Sequence, residues 1–281
     1  MDRIGVVGLG RMGTAIATRV ASQGVPVIGW TRSGRSADGV PSAPDLQALV
    51  SASDVIVTSL YDDGAVADIL DALLNCDLSG KLIVETSTVT SGPLTQRIAQ
   101  IEALGGAAVD APISGGPEMV QAGTCGIFIG GRDTDAERAK AALSAISGRI
   151  FHVGPLGTGL VMKAINNSLL QIYVTGLGQL LPMAREAGLP LKTVLAILNG
   201  GPAGMPFLRD RTPKILGEDP EVGFTLSALI KDNAVFREIA QSLGAQVAGL
   251  EMAAEAQRSS VARGFEDKDP AVIIADAYHR G

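Results

Sequence analysis

The sequence is poor in the residues that build disulfide frameworks, metal clusters and nucleic-acid-binding surfaces. Its 281 residues include two cysteines and two histidines, namely Cys76, Cys125, His152 and His279. The cysteines stand far apart and form no CxxC pair, which argues against a disulfide framework and against a zinc site. The formal net charge is -6 and no run of lysine and arginine occurs, so we expect neither a metal site nor a nucleic-acid partner.

The sequence also lacks a long apolar run that is free of polar residues. Its most apolar stretch, residues 160–184, contains Lys163, Asn166, Asn167 and Gln171. A membrane span rarely tolerates such residues. The amino terminus shows no charged segment followed by an apolar signal core. Together with the scarcity of cysteine, these features lead us to expect a cytoplasmic protein with no membrane partner.

Small and apolar residues are abundant instead. Hydrophobic residues make up 46% of the chain and charged residues 19%, which is typical of a globular protein and not of a disordered one. The length exceeds that of a usual single core, so we expect one large or two medium-sized domains. The 35 glycines suit tight helix packing and ligand sites that are lined by backbone.

The first half of the chain alternates short β-rich runs with helical patterns. The predicted strands are Ile4–Val7, Val25–Trp30, Asp54–Leu60, Lys81–Thr86, Ala107–Asp110, Cys125–Ile129 and Ile150–Val153. The predicted helices between them are Met12–Gln23, Pro44–Ser51, Gly64–Leu74, Pro93–Leu104 and Thr134–Ile146. Strands and helices in repeated succession predict right-handed crossovers and a mostly parallel sheet.

After Val153 the pattern becomes helical only. The predicted helices are Leu160–Ala187, Lys192–Leu198, Phe224–Leu243, Gln246–Val261 and Pro270–His279, with breaks at 199–206 and 213–223. Glycine and proline mark both breaks. The predicted fold class is therefore α/β, with a doubly wound, mostly parallel sheet in residues 1–157 and an all-α domain in residues 158–281.

A glycine motif follows the first predicted strand and opens the first predicted helix. It reads Gly8-Leu9-Gly10-Arg11-Met12-Gly13. In such a motif the first glycine permits a tight turn, the second lets the backbone approach a pyrophosphate, and the third lets the helix pack on the strand. The helix N-terminus adds free N–H groups and a partial positive charge. A plain glycine-rich turn is the alternative, but the strand–helix context favours a dinucleotide site.

The end of the second predicted strand distinguishes between the two nicotinamide dinucleotides. An NAD site calls for Asp or Glu about 20 residues after the motif, to hold the ribose hydroxyls. The chain has Thr31, Arg32, Ser33 and Arg35 there instead. Arginine attracts a 2′-phosphate and the hydroxyls support it, so we infer NADP(H) in preference to NAD(H). The alternative is that the two arginines are solvated loop residues, and this applies more to Arg35 than to Arg32.

A second glycine-rich segment, from Asp110 to Pro117, leaves the fifth predicted strand. Ligands bind at the carboxyl ends of parallel strands, and there exposed backbone N–H groups and the Ser114 hydroxyl could hold a carboxylate. Taken alone, however, this segment is better explained as an ordinary turn.

The helix predicted from Leu160 carries one lysine among apolar residues. Between Leu160 and Pro182 the ionisable side chains are Lys163 and Tyr173, so we expect this helix to be mostly buried. Lys163 shares a helix face with Asn167 and Gln171, at i+4 and i+8. A solvated stripe is the alternative, but a surface helix normally carries several charges. Burial tends to lower a lysine pKa, which suits proton exchange near neutral pH, so Lys163 is the candidate catalytic residue.

Taken together, these motifs resemble the β-hydroxyacid dehydrogenase family over nearly the whole chain. The residues from Ile4 to Gly13 resemble the cofactor signature of that family. The further matches, in chain order, are Ser59–Asp63 (with Tyr61 in place of a common proline), Glu85–Val89, Asp110–Gly116, Gly154–Asn167 and the pair Lys231-Asp232. Each motif is modest alone, but together and in order they are specific.

The resemblance implies a Rossmann domain followed by a helical domain, with the active site in the cleft between them. It implies hydride transfer between the nicotinamide and a small aldehyde-acid or β-hydroxy acid, with Lys163 as general acid/base. The implied substrate-binding residues are Ser114, Gly115, Gly116 and Asn167. The implied cofactor-binding residues are Gly8, Leu9, Gly10, Arg11, Met12, Gly13, Thr31, Arg32, Ser33, Leu60, Thr88 and Lys231. The family also implies a homodimer or homotetramer joined through the helical domain, where Gly176 and Gly178 could allow close contact.

Three other functions stay open at this point. Imine reductases resemble the chain in its first domain but generally lack a lysine at the position of Lys163. Oxidative decarboxylases of the 6-phosphogluconate type share the fold, but they are longer and use more residues for a phosphate. A non-catalytic NADP-binding module is the third alternative, and the presence of Lys163 with Asn167 argues against it. The segment Gly116–Val120 departs from the usual small-residue pattern, so the sequence does not name the substrate.

Overall fold

An eight-stranded sheet organises the first part of the chain in the computed structural model, which describes residues 2–280. Its strands are β1 (Ile4–Val7), β2 (Val27–Trp30), β3 (Val55–Thr58), β4 (Leu82–Glu85), β5 (Ala107–Asp110), β6 (Ile113–Ser114), β7 (Gly126–Gly130) and β8 (Arg149–Gly154). The helices among them are α1 (Arg11–Ser22), α2 (Leu46–Ala52), α3 (Asp63–Leu73), α4 (Gly92–Thr95), α5 (Ile98–Ala103), α6 (Pro117–Ala122) and α7 (Asp133–Leu143).

The sheet is wound in two directions from its centre. The strand order is β2-β1-β3-β4-β5-β7-β6, with β8 beside β7. Strands β1 to β5 run parallel, whereas β7 is antiparallel to β5 and parallel to β8. The order reverses between β1 and β3, and ligands of such sheets bind beyond the carboxyl ends of the strands at this reversal. The predicted doubly wound, mostly parallel sheet is confirmed.

The central strands are apolar along nearly their whole length. Strands β1 (IGVV), β3 (VIVT) and β4 (LIVE) are buried at every residue. A parallel sheet has helices on both faces, so its strands need continuous apolar runs instead of alternating ones. The pattern breaks at the carboxyl ends of β4 and β5, where Glu85 and Asp110 are buried acids.

Two short elements in the segment after β5 were not predicted. The sequence indicated a glycine-rich turn from Asp110 to Pro117, but Ile113 and Ser114 form strand β6 against β7. The turn is confined to Gly115, whose φ of 129° is a conformation that favours glycine. Pro117 then begins helix α6, because a proline fits the first position of a helix without losing a hydrogen bond.

From Thr158 onward the described chain is helical, as predicted. The helices are α8 (Thr158–Glu186), α9 (Leu191–Gly200), α10 (Pro206–Ile215), α11 (Leu226–Ser242), α12 (Ala248–Val261) and α13 (Ala271–His279). The chain divides into two compact units, which we call unit one, ending at Ala164, and unit two, beginning at Ile165. This division lies within α8, whereas the sequence-based boundary between residues 157 and 158 stays a prediction.

Helix α10 was missed in the sequence because prolines stand at both of its ends. Pro206 is its first residue, where the missing N–H group is not needed for an intrahelical bond. Pro213 lies near its carboxyl end, and the helix stops at Ile215. Leu208 and Ile215 of this helix are buried in the core of unit two. Their burial offsets the low helix propensity of proline.

Helix α8 has 29 residues and departs from the prediction on one of its faces. It was expected to be mostly buried, yet Ile165, Leu169, Leu180 and Met183 are between 53% and 68% exposed. The apolar composition that suggested burial therefore includes an exposed apolar face. Even so, none of the helices among residues 2–280 combines the length and hydropathy that a membrane crossing requires.

Candidate active site

The glycine motif forms the connection from β1 to α1. Gly8 has a φ of 94°, and a Cβ atom there would lie 2.3 Å from the Ser59 carbonyl oxygen. A Cβ at Gly13 would lie 1.8 Å from the Gly8 carbonyl oxygen. Both positions therefore exclude any other residue, because the surrounding atoms are backbone.

Gly10 differs from the other two glycines of the motif. A Cβ there would meet no atom of the described chain within 4 Å. Gly10 is also the N-cap of α1, and no side chain caps the N–H groups of that helix. The first turn carries Arg11 and Met12 and no acid. Open space in front of a helix N-terminus fits a dinucleotide pyrophosphate.

The loop after β2 lies at the surface of unit one. Gly34 donates its N–H to the Thr31 carbonyl oxygen at 3.0 Å, which closes a turn around Arg32 and Ser33. Arg32 is 78% exposed and pairs with Asp68 of α3 at 3.7 Å. Arg35 donates to the carbonyl oxygen of Leu9 at 3.5 Å. The sequence left a solvated loop position more open for Arg35 than for Arg32. In the structure, however, Arg35 is the one that contacts the glycine motif.

The loops after β3 and β4 are tied to each other and to the glycine motif. The Leu60 side chain lies against Gly8, and its N–H donates to Ser87 Oγ at 2.8 Å. Thr90 donates its N–H to Asp63 Oδ1 at 3.0 Å, and its hydroxyl donates to the other oxygen of that carboxylate. These bonds fix the segment that contains Thr88, which is half-buried.

Two buried carboxylates close the ends of β4 and β5, where they stand opposite each other in the parallel register. Glu85 accepts hydrogen bonds from Thr58 Oγ1 at 2.5 Å and from the Ser87 N–H at 2.6 Å. Burial raises the Glu85 pKa to about 7, although these bonds oppose the shift. Burial also raises the Asp110 pKa to about 6, against the effect of backbone N–H groups that include those of Gly157 and Leu160. The Asp110 charge also raises the Glu85 pKa.

The two acids carry no role in the sequence-based prediction, although both lie inside motifs that it singled out. An acid that ends an otherwise apolar strand was the available signal. Its meaning depends on which backbone N–H groups reach the carboxylate, and those belong to distant parts of the chain. Asp110, for example, accepts from Gly157 and Leu160.

The predicted substrate segment follows β5. Ser114 pairs with Gly126 in the ladder between β6 and β7, and Gly115 makes the turn. Gly116 is the N-cap of α6, and a Cβ there would lie 2.3 Å from a carboxylate oxygen of Glu118. An acid therefore lies against the segment that was predicted to hold a carboxylate.

Lys163 is buried in unit one, as the apolar sequence around it predicted. Its side chain is 5% exposed, and Nζ donates to the Ile113 carbonyl oxygen at 2.5 Å. The structure thus brings the lysine to the segment that contains Ser114. A buried ammonium is costly unless it has partners, and this contact supplies one of them.

The remaining predicted site residues, Asn167 and Lys231, belong to unit two. Asn167 is half-buried and accepts a hydrogen bond from Asn166 at 2.9 Å. Lys231 pairs with Asp232 at 2.8 Å. Gln171 is 2% exposed, so it does not face solvent.

Gln171 is part of a network of amide side chains that joins three helices of unit two. Its Oε1 accepts from Asn233 at 2.7 Å and from Gln257 at 2.9 Å. Asn233 also donates to the Leu250 carbonyl oxygen at 3.3 Å. Buried amides of this kind help to fix how helices pack.

Two family models cover the chain between them. The NAD-binding domain of 6-phosphogluconate dehydrogenase matches residues 3–154. The NAD-binding domain of NADP-dependent 3-hydroxyisobutyrate dehydrogenase matches residues 157–276.

Individual relatives are similar along almost their full length. The chain is 29% identical to 2-(hydroxymethyl)glutarate dehydrogenase of Eubacterium barkeri, over 97% of this chain and 93% of the relative. It is 28% identical to NAD-dependent L-serine dehydrogenase of Pseudomonas aeruginosa, over 97% of each chain. The solved structure of Mycobacterium tuberculosis 3-hydroxyisobutyrate dehydrogenase with L-serine matches with a TM-score of 0.88 at 23% identity, over 98% of this chain and 99% of that one.

The structure and the comparisons agree on the kind of protein. The evidence consists of the glycine motif at the β1–α1 turn, the buried lysine beside the strand-end segment and the two family matches. The relatives are named as dehydrogenases of small hydroxy acids. The chain belongs to the β-hydroxyacid dehydrogenase family of NAD(P)-dependent oxidoreductases.

Proposed function

We propose that the protein interconverts a small aldehyde-acid and its β-hydroxy acid with NADP(H), using Lys163 as the proton carrier. The observation that carries this proposal is the position of Lys163, which is buried and donates to the backbone of the strand-end segment at Ile113. Solubility does not explain a charged group that is buried, because burial removes its hydration. Interconversion of a carbonyl and a hydroxyl group moves a proton at the substrate oxygen, and we assign that proton to Lys163.

The proposed chemistry divides between the cofactor and the side chains. NADP(H), when bound, supplies or receives the hydride. In reduction, Lys163 as an ammonium donates a hydrogen bond to the carbonyl oxygen and then transfers its proton to that oxygen as negative charge develops. In oxidation, the neutral amine accepts the hydroxyl proton. Asn167 orients the substrate oxygen or the lysine.

The proposed substrate groups are Ser114, Gly115, Gly116 and Asn167, which hold the substrate carboxylate or its neighbours. Fixing that end of the substrate decides which carbon receives the hydride. The Glu118 carboxylate beside Gly116 is exposed to solvent, so water screens its repulsion of a bound carboxylate. Thr88 and Lys231 are proposed to lie near the nicotinamide end of the cofactor.

For the cofactor we propose a preference for NADP(H) over NAD(H). The support is that Thr31, Arg32 and Ser33 follow β2 where an NAD site would use an acid. The contact of Arg35 with Leu9 adds a second cation beside the glycine motif. One relative is named NAD-dependent, so the cofactor preference of this protein has to be measured directly.

We also propose that a second copy of the chain covers the exposed face of α8. Ile165, Leu169, Leu180 and Met183 stand at i, i+4, i+15 and i+18, so they share one side of the helix. Gly176, at i+11 on that side, has open space where a Cβ would lie. Gly178 instead packs against Ile273 of α13 within unit two. Exposed apolar faces that are shared by several large side chains mark association sites.

The association proposal is tested by sedimentation of the protein and of two variants. Leu169→Lys should shift the protein towards monomer, because it places a charge in the apolar face. Lys192→Glu, a change at an exposed position of α9, is the matched control and should leave the mass unchanged. A monomeric wild-type protein would contradict the proposal.

The function is tested by a panel of semialdehydes and hydroxy acids, each assayed with NADPH and with NADH. We expect turnover with at least one aldehyde-acid and its hydroxy acid, with a higher kcat/KM for NADPH. A cyclic imine in the same panel tests imine reduction, and carbon dioxide release tests oxidative decarboxylation. The proposed reaction is wrong if the folded protein binds NADPH but converts only the imine, or none of these compounds.

A further inference from the structure

Asp110 joins the end of β5 to the start of α8. Its Oδ1 accepts the Gly157 N–H at 2.6 Å, and its Oδ2 accepts the Leu160 N–H at 2.8 Å. These N–H groups belong to the first turn of a helix or precede it, so they have no partner inside the helix. One carboxylate from a distant strand therefore caps the helix that carries Lys163.

The space around this carboxylate admits little else. A Cβ at Gly130 would lie 2.4 Å from Asp110 Oδ1 and 2.8 Å from the Pro155 carbonyl oxygen. A Cβ at Gly159 would lie 2.7 Å from Asp110 Oδ2 and 2.2 Å from the Phe128 carbonyl oxygen. Two glycines thus let the strand ends, the carboxylate and the first turn of α8 approach one another closely. A longer acid would not fit this site.

The same segment that caps the helix also holds the lysine. Asp110 binds the helix start, and Ile113, three residues later, accepts the hydrogen bond from Lys163 Nζ at 2.5 Å. Leu160 lies three residues before Lys163, which is almost one helical turn. The position of the ammonium therefore depends on two fixed points, and Asp110 supplies one of them.

We propose that Asp110 is a positioning residue for the reaction: it anchors the first turn of α8 and thereby sets where the Lys163 amine meets the substrate oxygen. This inference rests on the proposed role of Lys163. Asp110 itself touches neither substrate nor cofactor in this account. Its contribution is geometric, since proton transfer requires the donor and the acceptor oxygen at hydrogen-bond distance.

The test compares Asp110→Asn, Asp110→Ser and Lys163→Ala with the wild-type protein. Asparagine keeps the size of Asp110 but turns one acceptor into a donor, which then faces a backbone N–H. Serine is smaller and keeps one acceptor, so it serves if asparagine does not fold. Asp45→Asn is the matched control, because Asp45 caps α2 by accepting the Ala48 N–H at 2.7 Å and contacts none of the proposed site residues.

We expect Asp110→Asn to lower kcat by about tenfold or more, while the Kd for NADPH stays within about twofold of wild type. In the oxidation direction, where Lys163 must lose its proton, the kcat–pH profile should move by about half a unit. A cap with only a structural role would lower Tm without moving that profile. Asp45→Asn should leave both kcat and the profile unchanged.

The outcomes separate this inference from the function on which it rests. If Lys163→Ala keeps wild-type turnover, the proposed proton carrier is wrong, whatever the Asp110 variants do. If Lys163→Ala is inactive but a folded Asp110 variant has the wild-type kcat and pH profile, the positioning role alone is overturned. If neither Asp110 variant folds or binds NADPH, it is also overturned, because the carboxylate then serves unit one as a whole.

Discussion

Unit one places its charged groups in two different ways. In the loop after β2, Arg32 and its partner Asp68 are both mostly exposed, at 78% and 69%. At the ends of β4 and β5 and in the first turns of α8, Glu85, Asp110 and Lys163 are each 5% exposed or less. The exposed pair keeps its water, whereas the buried groups rely on hydrogen bonds to backbone and to threonine and serine groups.

The difference shows where precision is required. An exposed ion pair contributes about 0–1 kcal/mol and can break to receive a ligand phosphate. A buried charge costs several kcal/mol unless it is fully bonded, so a fold retains one only where geometry matters. This contrast agrees with the two proposals above, in which the loop after β2 binds the 2′-phosphate and the buried groups position the proton carrier.

The largest effect that we expect comes from the buried lysine. Lys163→Ala should lower kcat by about a thousandfold, because the proton needed at the substrate oxygen is no longer supplied. NADPH binding, measured by fluorescence titration, should survive. Lys140→Ala, which removes an exposed lysine of α7 in the same unit, should keep wild-type turnover. If the two variants were equally active, the buried lysine would have no catalytic role that the exposed lysine lacks.

The second effect concerns stability and pH. The Glu85 pKa is raised to about 7 by burial, from an ordinary value of 4.5. Between these values the folded state holds a proton that the unfolded state has released, so stability falls as pH rises through this range. Asp110, with its pKa raised to about 6, adds to the same slope at lower pH.

Glu85→Gln should therefore be more stable than wild type at pH 8, by about 3 kcal/mol, and nearly equal to it below pH 4.5. Glutamine keeps the shape of the side chain without the buried charge. Urea unfolding at several pH values measures this difference. Glu137→Gln, at an exposed position of α7, should follow the wild-type curve. A Glu85→Gln protein that is less stable at high pH would show that the carboxylate stabilises the fold.

The third effect concerns the exposed loop after β2. Arg35→Ala should raise the KM for NADPH about tenfold, or about 1.4 kcal/mol, because a charged contact to the 2′-phosphate is lost. The KM for NADH, which has no such phosphate, should hardly change and is the internal control. Equal changes for both cofactors would mean that Arg35 supports the glycine motif through Leu9 and does not select NADPH.

The smallest effect should come from Asp68, the partner of Arg32. Asp68→Asn should change the free energy of unfolding by less than about 0.5 kcal/mol, since exposed pairs contribute little. It should lower the KM for NADPH by about twofold, because Arg32 is then released to a phosphate. A clear loss of stability in this variant would contradict the view that this loop is only loosely held.

Much of the fold could be predicted from the sequence because its signals are local. The buried strands appear as short apolar runs, and the Gly8–Gly13 motif follows directly after the first of them. The elements that were missed, β6, α6 and α10, all adjoin glycine or proline, which the sequence-based reasoning took as breaks. Each of these elements is kept by tertiary packing or pairing that local propensity does not contain.

The candidate site could be predicted as a set of motifs but not as a set of contacts. The motifs named Lys163 and Ser114, yet no local pattern indicated that Lys163 donates to Ile113 or that Arg35 donates to Leu9. Nor did it show that α8 keeps an exposed apolar face from Ile165 to Met183. Such facts depend on residues that are far apart in the chain.

By itself, the sequence determined the order of strands and helices, the glycine turn and the presence of one lysine in an apolar helix, because hydrophobic period and glycine stereochemistry act over a few residues. Only the tertiary structure decided that Glu85 and Asp110 stand side by side, and that Asp110 caps the helix of Lys163. The physical reason is that hydrogen bonding and desolvation depend on distance in space, and folding sets that distance.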